Sequence, residues 1–464
     1  MENKYDLIVL GSGPGGYVAA LRAAALGQRV CLIEKEALGG VCLNWGCIPT
    51  KTLLKSAHFF NSLKKSETFG IKLKPDSIEL DFQSIQKRKQ EIVDKLKKGI
   101  EFLLKKRNVS IVIGHGKFLD KNSIDVDGEK IYFDKAIIAT GSYPAELRDI
   151  KFDHSMGIVS NRGVLSFTAV PKSLLIIGGG VIGCEFADIY SALGSEVTIV
   201  EFAEQILPNE DKDIVRILDS VFEKRKIKII TKSKVDSVIQ QANGQNLLAK
   251  VSNGQELRVE KVLLSVGRIP NINNCGLDNL GIEIQAGRIV VNSQMQTSIS
   301  TIYAIGDAVG QNFLAHVASH QAIVAAEHIA GANVRMNYDI IPRCIYTHPE
   351  IASVGKTQEQ AEKMGIKIKL GKFPFSASGR AMIEADSPGM IKIIVQENND
   401  KIIGAALCGP MATELIHEIC VAMSADLKIG QLGNIIHAHP TLSESIMEAA
   451  QDADANAIHL IKQR

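Results

Sequence analysis

Hydrophobic positions along the chain change period several times, and the changes outline its elements. The runs Asp6–Leu10 (DLIVL) and Arg29–Glu34 (RVCLIE) have the length and apolar continuity of strands covered on both faces. Between them Tyr17–Leu26 is rich in small residues and predicts a helix lying close on a sheet. The same order returns later: the apolar run of LLIIGGGVIG, a helix reaching Leu193, then a strand over Glu196–Glu201. In the basic stretch Lys87–Arg107, Ile92, Val93, Leu96, Ile100, Leu103 and Leu104 fall on one helix face and leave the charge on a solvated one. From about Arg343 the texture changes to strands such as Ile391–Val395 and Ile402–Cys408 followed by helices, which predicts a separate interface domain. The fold class is therefore α/β, with two Rossmann-like units and a C-terminal α+β unit.

Length and charge narrow the function. At 464 residues the chain predicts two to four packed units. With 53 Lys plus Arg against 51 Asp plus Glu it carries neither a basic nucleic-acid footprint nor an acidic tail. No apolar stretch runs long enough to span a bilayer, and the first strand follows Met1 too closely for an export signal, so a cytosolic protein is expected. Eight cysteines scattered over so long a chain do not resemble a disulfide scaffold. Only Cys42 and Cys47 stand close together.

The two repeated stretches carry the same turn chemistry. The first has Gly11, Gly13 and Gly16 and ends at Glu34; the second has Gly178, Gly180 and Gly183 and ends at Glu201. In both, the acid follows the third glycine by 18 residues. Glycines at this spacing allow a tight turn and bring backbone N–H groups onto a pyrophosphate at a helix N-terminus, while the distal carboxylate accepts from a ribose hydroxyl. One such turn alone is weak evidence; two complete copies predict two dinucleotide sites. Phe-Ala-Glu-Gln-Ile after Glu201 offers no arginine to a 2′-phosphate, so the second site favours NAD over NADP. IIATGS (Ile137–Ser142), VLLSVGR (Val262–Arg268) and IYAIGDAV (Ile302–Val309) are further strands running into turns, each ordinary by itself. If Asp307 returns to the first nucleotide, the second unit is inserted into the first.

GGVCLNWGCIPTK, residues 39 to 51, is the strongest chemical signal. Gly39, Gly40, Gly46 and Pro49 flank Cys42 and Cys47, so the backbone can bend to bring the sulfurs together in a short loop that opens and recloses. A helix N-terminus at Pro49 and Thr50 would lower a thiol pKa. A dithiol exchanges two electrons and NAD carries them as hydride, which does not pass directly to sulfur; an isoalloxazine joins the two chemistries. Two nucleotide sites beside a cysteine pair thus predict FAD at the first and NAD at the second. The base for an incoming thiol is sought in HAHPTLSE: His439, with Glu444 five residues on to hold its ring, and His437 as the competitor. His316 and His320, four residues apart, lack a third ligand and read as helix positions.

Taken in order, GSGPGG, GGVCLNWGCIPTK, ATGS, GGGVIGCE, VGRIPN, AIGDAV, FLAH and HAHPTLSE resemble the flavoprotein disulfide reductases over essentially the whole chain. Within that family the likeness is to the branch that oxidises protein-bound dihydrolipoamide with NAD for 2-oxo acid dehydrogenase or glycine cleavage complexes. The resemblance implies an FAD-binding unit at 1–148, an NAD-binding unit at 149–272, a central unit completing the FAD site at 273–342 and a dimerisation unit at 343–464. It also implies a homodimer in which His439 of one subunit serves the cysteines of the other. Cys42 would exchange with substrate and Cys47 face the flavin, with Lys51 near the ring and paired with Glu185. Glu34, Gly116, Thr140, Gly141, Ser142, Asp307 and Ala315 would hold FAD; Glu201, Val235 and Gly267 would line the NAD site. The partners implied are the lipoyl domains of an E2-type acyltransferase or a glycine cleavage carrier.

Two positions depart from the family pattern: Trp45 stands between the cysteines where valine is more usual, and Cys184 replaces a leucine. Trp45 puts substrate access in question; Cys184 reads as a buried apolar residue. A glutathione-reducing relative would carry basic residues after the second acid, and a mercury-reducing one a C-terminal cysteine pair where this chain reads DADANAIHLIKQR. A catalytically idle docking subunit is the reading from another class. Retention of Cys42, Cys47, His439 and Glu444 together argues against it.

Overall fold

The structure is a computed structural model and describes residues 4–74, 78–241 and 246–461. Its first sheet is built around the strand Lys4–Leu10, flanked in parallel by Val30–Glu34 and Glu129–Ile138. Leu7, Ile8, Val9, Leu32 and Ile33 are wholly buried, as expected of strands covered on both faces. The helix between the first two strands spans Pro14–Ala25, starting earlier than the small-residue run suggests because Pro14 presets the helical φ in its first turn. It packs against the helix Ala315–Ile329, which comes from far along the chain.

The second sheet orders its strands Lys228–Ile230, Glu196–Val200, Ser173–Ile177, Lys261–Leu264 and Ile158–Val159, all parallel. A three-stranded antiparallel ribbon, Val235–Gln240, Leu247–Val251 and Glu256–Val259, covers part of it and shares one core with it. After this the chain returns. Strand Ile302–Ala304 pairs in parallel with Glu129–Ile138, so the second nucleotide unit is inserted within the first.

The C-terminal sheet is antiparallel throughout, in the order Arg343–Ile345, Glu350–Gly355, Lys401–Gly409, Met390–Gln396 and Ile368–Pro374. Helices Ala412–Ser424 and Glu444–Ala453 bury their apolar stripes on it, with Ile416, Ile419 and Ile446 fully enclosed. The units do not merely touch. One core joins Leu53 and Leu54, Leu174 and Ile176, and Ile345, Ala406 and Cys408, taking residues from all three. Beside it Lys392, only 1 % exposed, reaches Asp211 at 2.8 Å and Asp213 at 3.0 Å at the start of helix Lys212–Lys224. A buried ammonium needs such partners, so this pair of acids fixes the C-terminal sheet to the second unit.

The long basic helix spans Phe82–Lys106 and packs on the helix Cys47–Leu63. Its apolar stripe is only partly covered. Val93 and Leu104 are buried, whereas Leu96 and Leu103 are exposed, so the cover follows one edge of the stripe.

Candidate active site

The two glycine turns share their geometry residue by residue. Gly11 and Gly178 adopt φ of +98° and +101°, and a Cβ at either would sit 2.4 Å from the Ala139 carbonyl oxygen or 2.5 Å from that of Ser265. A Cβ at Gly16 or Gly183 would fall 1.8 or 2.1 Å from the carbonyl oxygen of Gly11 or Gly178, so the helix can approach its strand only without side chains there. Gly13 and Gly180 differ in kind: nothing lies within 4 Å of their Cβ positions. The middle glycine therefore faces open space, the room a pyrophosphate needs. Each acid is tied back to its turn. Glu34 accepts from the Ser12 amide at 2.9 Å and hydroxyl at 2.6 Å; Glu201 accepts from the Gly179 amide at 2.6 Å.

At the first turn several more groups converge. Ser142 donates to Asp307, and Arg268 Nε donates to the Ser142 hydroxyl at 2.7 Å. Burial raises the Asp307 carboxyl against the opposing pull of Ser142 and Arg268. The Thr140 hydroxyl is buried and has no partner among the described residues, and Gly141 takes φ of +72° beside it. An orphaned buried hydroxyl, a bare glycine face and a carboxylate bonded to the turn fit an FAD molecule. Ala315 opens the helix Ala315–Ile329, its amide at the N-terminal end. Gly116 has a plainer account: Leu10, Ile124 and Ile33 fill the space a side chain would take. On the other side Gly267 takes φ of +124° in open space, and Val235 buries its side chain in the core of the second unit, leaving only backbone to offer a ligand.

The cysteines lie on two helices rather than in an open loop. Cys42 is on the short helix Gly40–Trp45, and Cys47 is the first residue of Cys47–Leu63, earlier than the start expected at Pro49. Gly46 alone separates the two helices. Its Cβ would lie 2.9 Å from the Val41 carbonyl oxygen and 3.1 Å from Cys42 Cα, so glycine permits the sharp chain reversal. Gly40 is equally constrained, since a side chain there would meet Gly13 Cα at 2.6 Å; the short helix thus rests directly on the first nucleotide turn. The Cys42 thiol donates to the Cys47 sulfur. That bond lowers the Cys47 thiol to about 7 despite its burial, with Lys51 adding to the pull, and pushes the Cys42 thiol up. One turn along, Lys51 Nζ meets both Glu185 oxygens at 2.7 Å and lies 4.7 Å from the Tyr346 ring centre. The Tyr346 amide donates to Glu185 at 3.1 Å, bringing the C-terminal unit to the same place.

At the far end of the chain His439 Nδ1 is 2.9 Å from Glu444, whose other oxygen accepts from the Thr441 amide at 2.7 Å. Burial pushes the Glu444 carboxyl up, but Thr441 and His439 outweigh it and hold it below the ordinary range. The His439 ring is 79 % exposed, and its Nε2 meets no partner among the described residues. His437 is occupied instead: Nε2 lies 2.7 Å from Glu418, Nδ1 2.9 Å from the Ile435 carbonyl, and the ring is 7 % exposed. Of the two rings, His439 is the one with a nitrogen left open among the described residues. Among the described residues no hydrogen bond or ion pair joins the His439 pair to the cysteines. His316 bonds the Pro342 carbonyl at 2.9 Å on helix Ala315–Ile329, which also carries His320. Cys184 is buried and donates to the Gly179 carbonyl at 3.3 Å, inside the second turn.

Sequence reasoning missed four contributors to this region. Tyr346 and Arg268 come from segments distant in sequence, and Asn161 with Arg162 reach the cysteine turn from the second unit. Only VGR hinted at one of them.

Comparison with known proteins agrees with this geometry. Residues 5–322 match the model of the pyridine nucleotide-disulphide oxidoreductases, and residues 341–450 match the dimerisation domain of the same group. A dihydrolipoyl dehydrogenase of Bacillus subtilis is 41 % identical over 99 % of this chain and 100 % of its own length. A mitochondrial dihydrolipoyl dehydrogenase of Arabidopsis thaliana is 42 % identical over 99 % of this chain and 92 % of its own. Among solved structures, LpdA of Mycobacterium tuberculosis superimposes with a TM-score of 0.90 at 28 % identity, covering 97 % of this chain and 99 % of that one. The flavoprotein disulfide reductase RclA of Escherichia coli, as a Cu(II) complex, follows at 0.88 and 28 %, with 97 % and 99 % covered.

Proposed function

The chain belongs to the pyridine nucleotide-disulphide oxidoreductase family, and from that premise we propose that it oxidises dihydrolipoamide with NAD through Cys42 and Cys47. It is an NAD-dependent flavoprotein oxidoreductase that uses FAD and NAD. The observation that carries the substrate reading is the cysteine pair set against the first glycine turn, in a chain that matches dihydrolipoyl dehydrogenases along its length.

The residues divide the work. His439, its ring held by Glu444, accepts a proton from one thiol of the substrate, and the resulting thiolate attacks Cys42 of the oxidised pair. The Cys42–Cys47 bond breaks, Cys47 leaves as thiolate, and the second substrate thiol then displaces Cys42 to close the lipoyl disulfide. Leaving as thiolate suits Cys47, whose thiol is the lowered one. FAD, when bound, supplies the two-electron exchange between the dithiol and the nicotinamide, so the balance is dihydrolipoamide plus NAD⁺ to lipoamide, NADH and a proton. Lys51, held in place by Glu185, favours the Cys47 thiolate more than Glu185 opposes it.

A dimerisation domain supports a homodimer. Because His439 is exposed and has no bond to the cysteines of its own chain among the described residues, we assign it to the cysteines of a second copy, and we take lipoyl domains of an acyltransferase or glycine cleavage carrier as the substrate's bearers. No described helix is long and apolar enough to cross a membrane. The test is steady-state NADH formation from dihydrolipoamide, with NADP, and glutathione disulfide plus NADPH, as controls. NADH formation with at least about a hundredfold preference over NADP is expected from the carboxylate at Glu201; efficient NADPH-linked reduction of glutathione disulfide with no dihydrolipoamide turnover would replace the reading.

A further inference from the structure

The helix that carries Cys42 is six residues long, Gly40–Trp45, too short to hold its own orientation. What fixes its ends decides where Cys42 points. Its N-terminal end is fixed by Gly40 lying on Gly13. Its C-terminal end is held from the second nucleotide unit. Buried Asn161 donates through Nδ2 to the Trp45 carbonyl at 2.6 Å, satisfying one of the carbonyls that a helix end leaves open. Next to it the Arg162 guanidinium lies 3.6 Å from the Trp45 ring centre and meets the Glu36 carboxylate with two bonds of 2.7 Å. Glu36 in turn follows the first ribose acid, whose carboxylate accepts its amide at 2.8 Å.

Trp45 stands three residues after Cys42, on the same side of the helix. Fixing the indole therefore fixes the rotation of the helix and the direction of the Cys42 sulfur. On the other side of the single hinge residue Gly46, the helix Cys47–Leu63 is secured by its own packing. Making and breaking the disulfide must be accommodated between these two anchored ends. We propose that Asn161 and Arg162 are positioning residues for the dithiol, clamping Trp45 so that Cys42 meets its incoming thiol in line with Cys47. The proposal rests on the dihydrolipoamide reading and adds to it a specific role for the second unit. A planar guanidinium that both stacks and bonds a carboxylate twice is not replaced by lysine.

Trp45 is the chain's one tryptophan, so its emission reports this turn alone. The holoenzyme and its Arg162→Met, Arg162→Lys and Asn161→Ala variants are compared in three readouts: dihydrolipoamide kinetics, NADH-driven ferricyanide reduction, and acrylamide quenching of Trp45. In Arg162→Met, kcat/KM for dihydrolipoamide should fall about tenfold to a hundredfold, with quenching increased and both flavin content and ferricyanide turnover retained. Arg162→Lys should fall between that variant and the parent. Unchanged dihydrolipoamide kinetics with a loosened Trp45 would overturn the proposal, and so would equal loss of both activities, which would mean damage to the flavin site. A parent enzyme that oxidises no dihydrolipoamide would strike down the substrate reading first. The positioning claim is then decided by iodoacetamide alkylation of Cys42 in the reduced parent and Arg162→Met proteins, and equal rates would refute it.

Discussion

At the first glycine turn the acid Glu34 is buried and collects the Ser12 hydroxyl as well as its amide, the helix Gly40–Trp45 lies against Gly13, and Asp307 closes in from a returning strand. At the second turn Glu201 is only partly covered, Phe202 beside it is 78 % exposed, and Val181 at the start of the helix is 42 % exposed. The three motif glycines of each turn meet matching steric limits. The surroundings differ, and they differ in the way a retained cofactor differs from one that comes and goes. A motif of three glycines and an acid specifies dinucleotide chemistry; residence time is written in what the rest of the chain folds over it.

The largest expected effect breaks the link between the two turns. Cys47→Ser should lower dihydrolipoamide oxidation by at least about a thousandfold while flavin absorbance and NADH-driven ferricyanide reduction persist, both measured on the desalted protein.

Equivalent glycines should then behave unequally. Gly16→Ala drives a Cβ onto the Gly11 carbonyl and should cost more than about 3 kcal/mol, releasing flavin during purification. Gly183→Ala makes the same clash in the second unit and should keep flavin but lose NAD-dependent turnover. The flavin-to-protein absorbance ratio separates the two outcomes.

A smaller change sharpens the contrast. Glu201→Gln removes one charged acceptor, worth about 1.5–3 kcal/mol, so KM for NAD should rise about tenfold or more with flavin content unaltered. Protonation gives the smallest effect. The Cys47 thiol, lowered to about 7, is thiolate above that pH and thiol below it. Dithiol-dependent NADH formation should therefore decline by about fivefold from pH 7 to pH 6, whereas ferricyanide reduction by NADH, which needs no thiolate, should stay nearly level. A flat profile for both would remove Cys47 from the rate-determining chemistry.

Much of this was legible in the sequence because the relevant spacing is local. Each glycine turn, its helix and its acid lie within one strand–helix–strand unit, and the two cysteines are five residues apart. The return of Ile302–Ala304 to the first sheet could be posed as a condition on Asp307. What escaped depends on contacts between remote segments. Asn161 and Trp45 are 116 positions apart, Arg162 and Glu36 126, and Ser142 and Asp307 165. The placement of both cysteines on helices was hidden for another reason: the glycines that suggested a flexible loop serve close backbone approach at Gly13 and Val41 instead. The stripe on helix Phe82–Lys106 was correctly periodic but only partly buried, since periodicity reports a face and not how much of its width a neighbour covers.

The most direct test of the dithiol route is anaerobic rapid-mixing absorbance of the purified yellow protein with dihydrolipoamide, followed by NAD. The account predicts a long-wavelength band as the Cys47 thiolate forms beside the flavin, then NADH at the expense of that band. No band and no NADH with dihydrolipoamide, with prompt flavin reduction by NADPH, would contradict it and assign the protein to a different disulfide substrate.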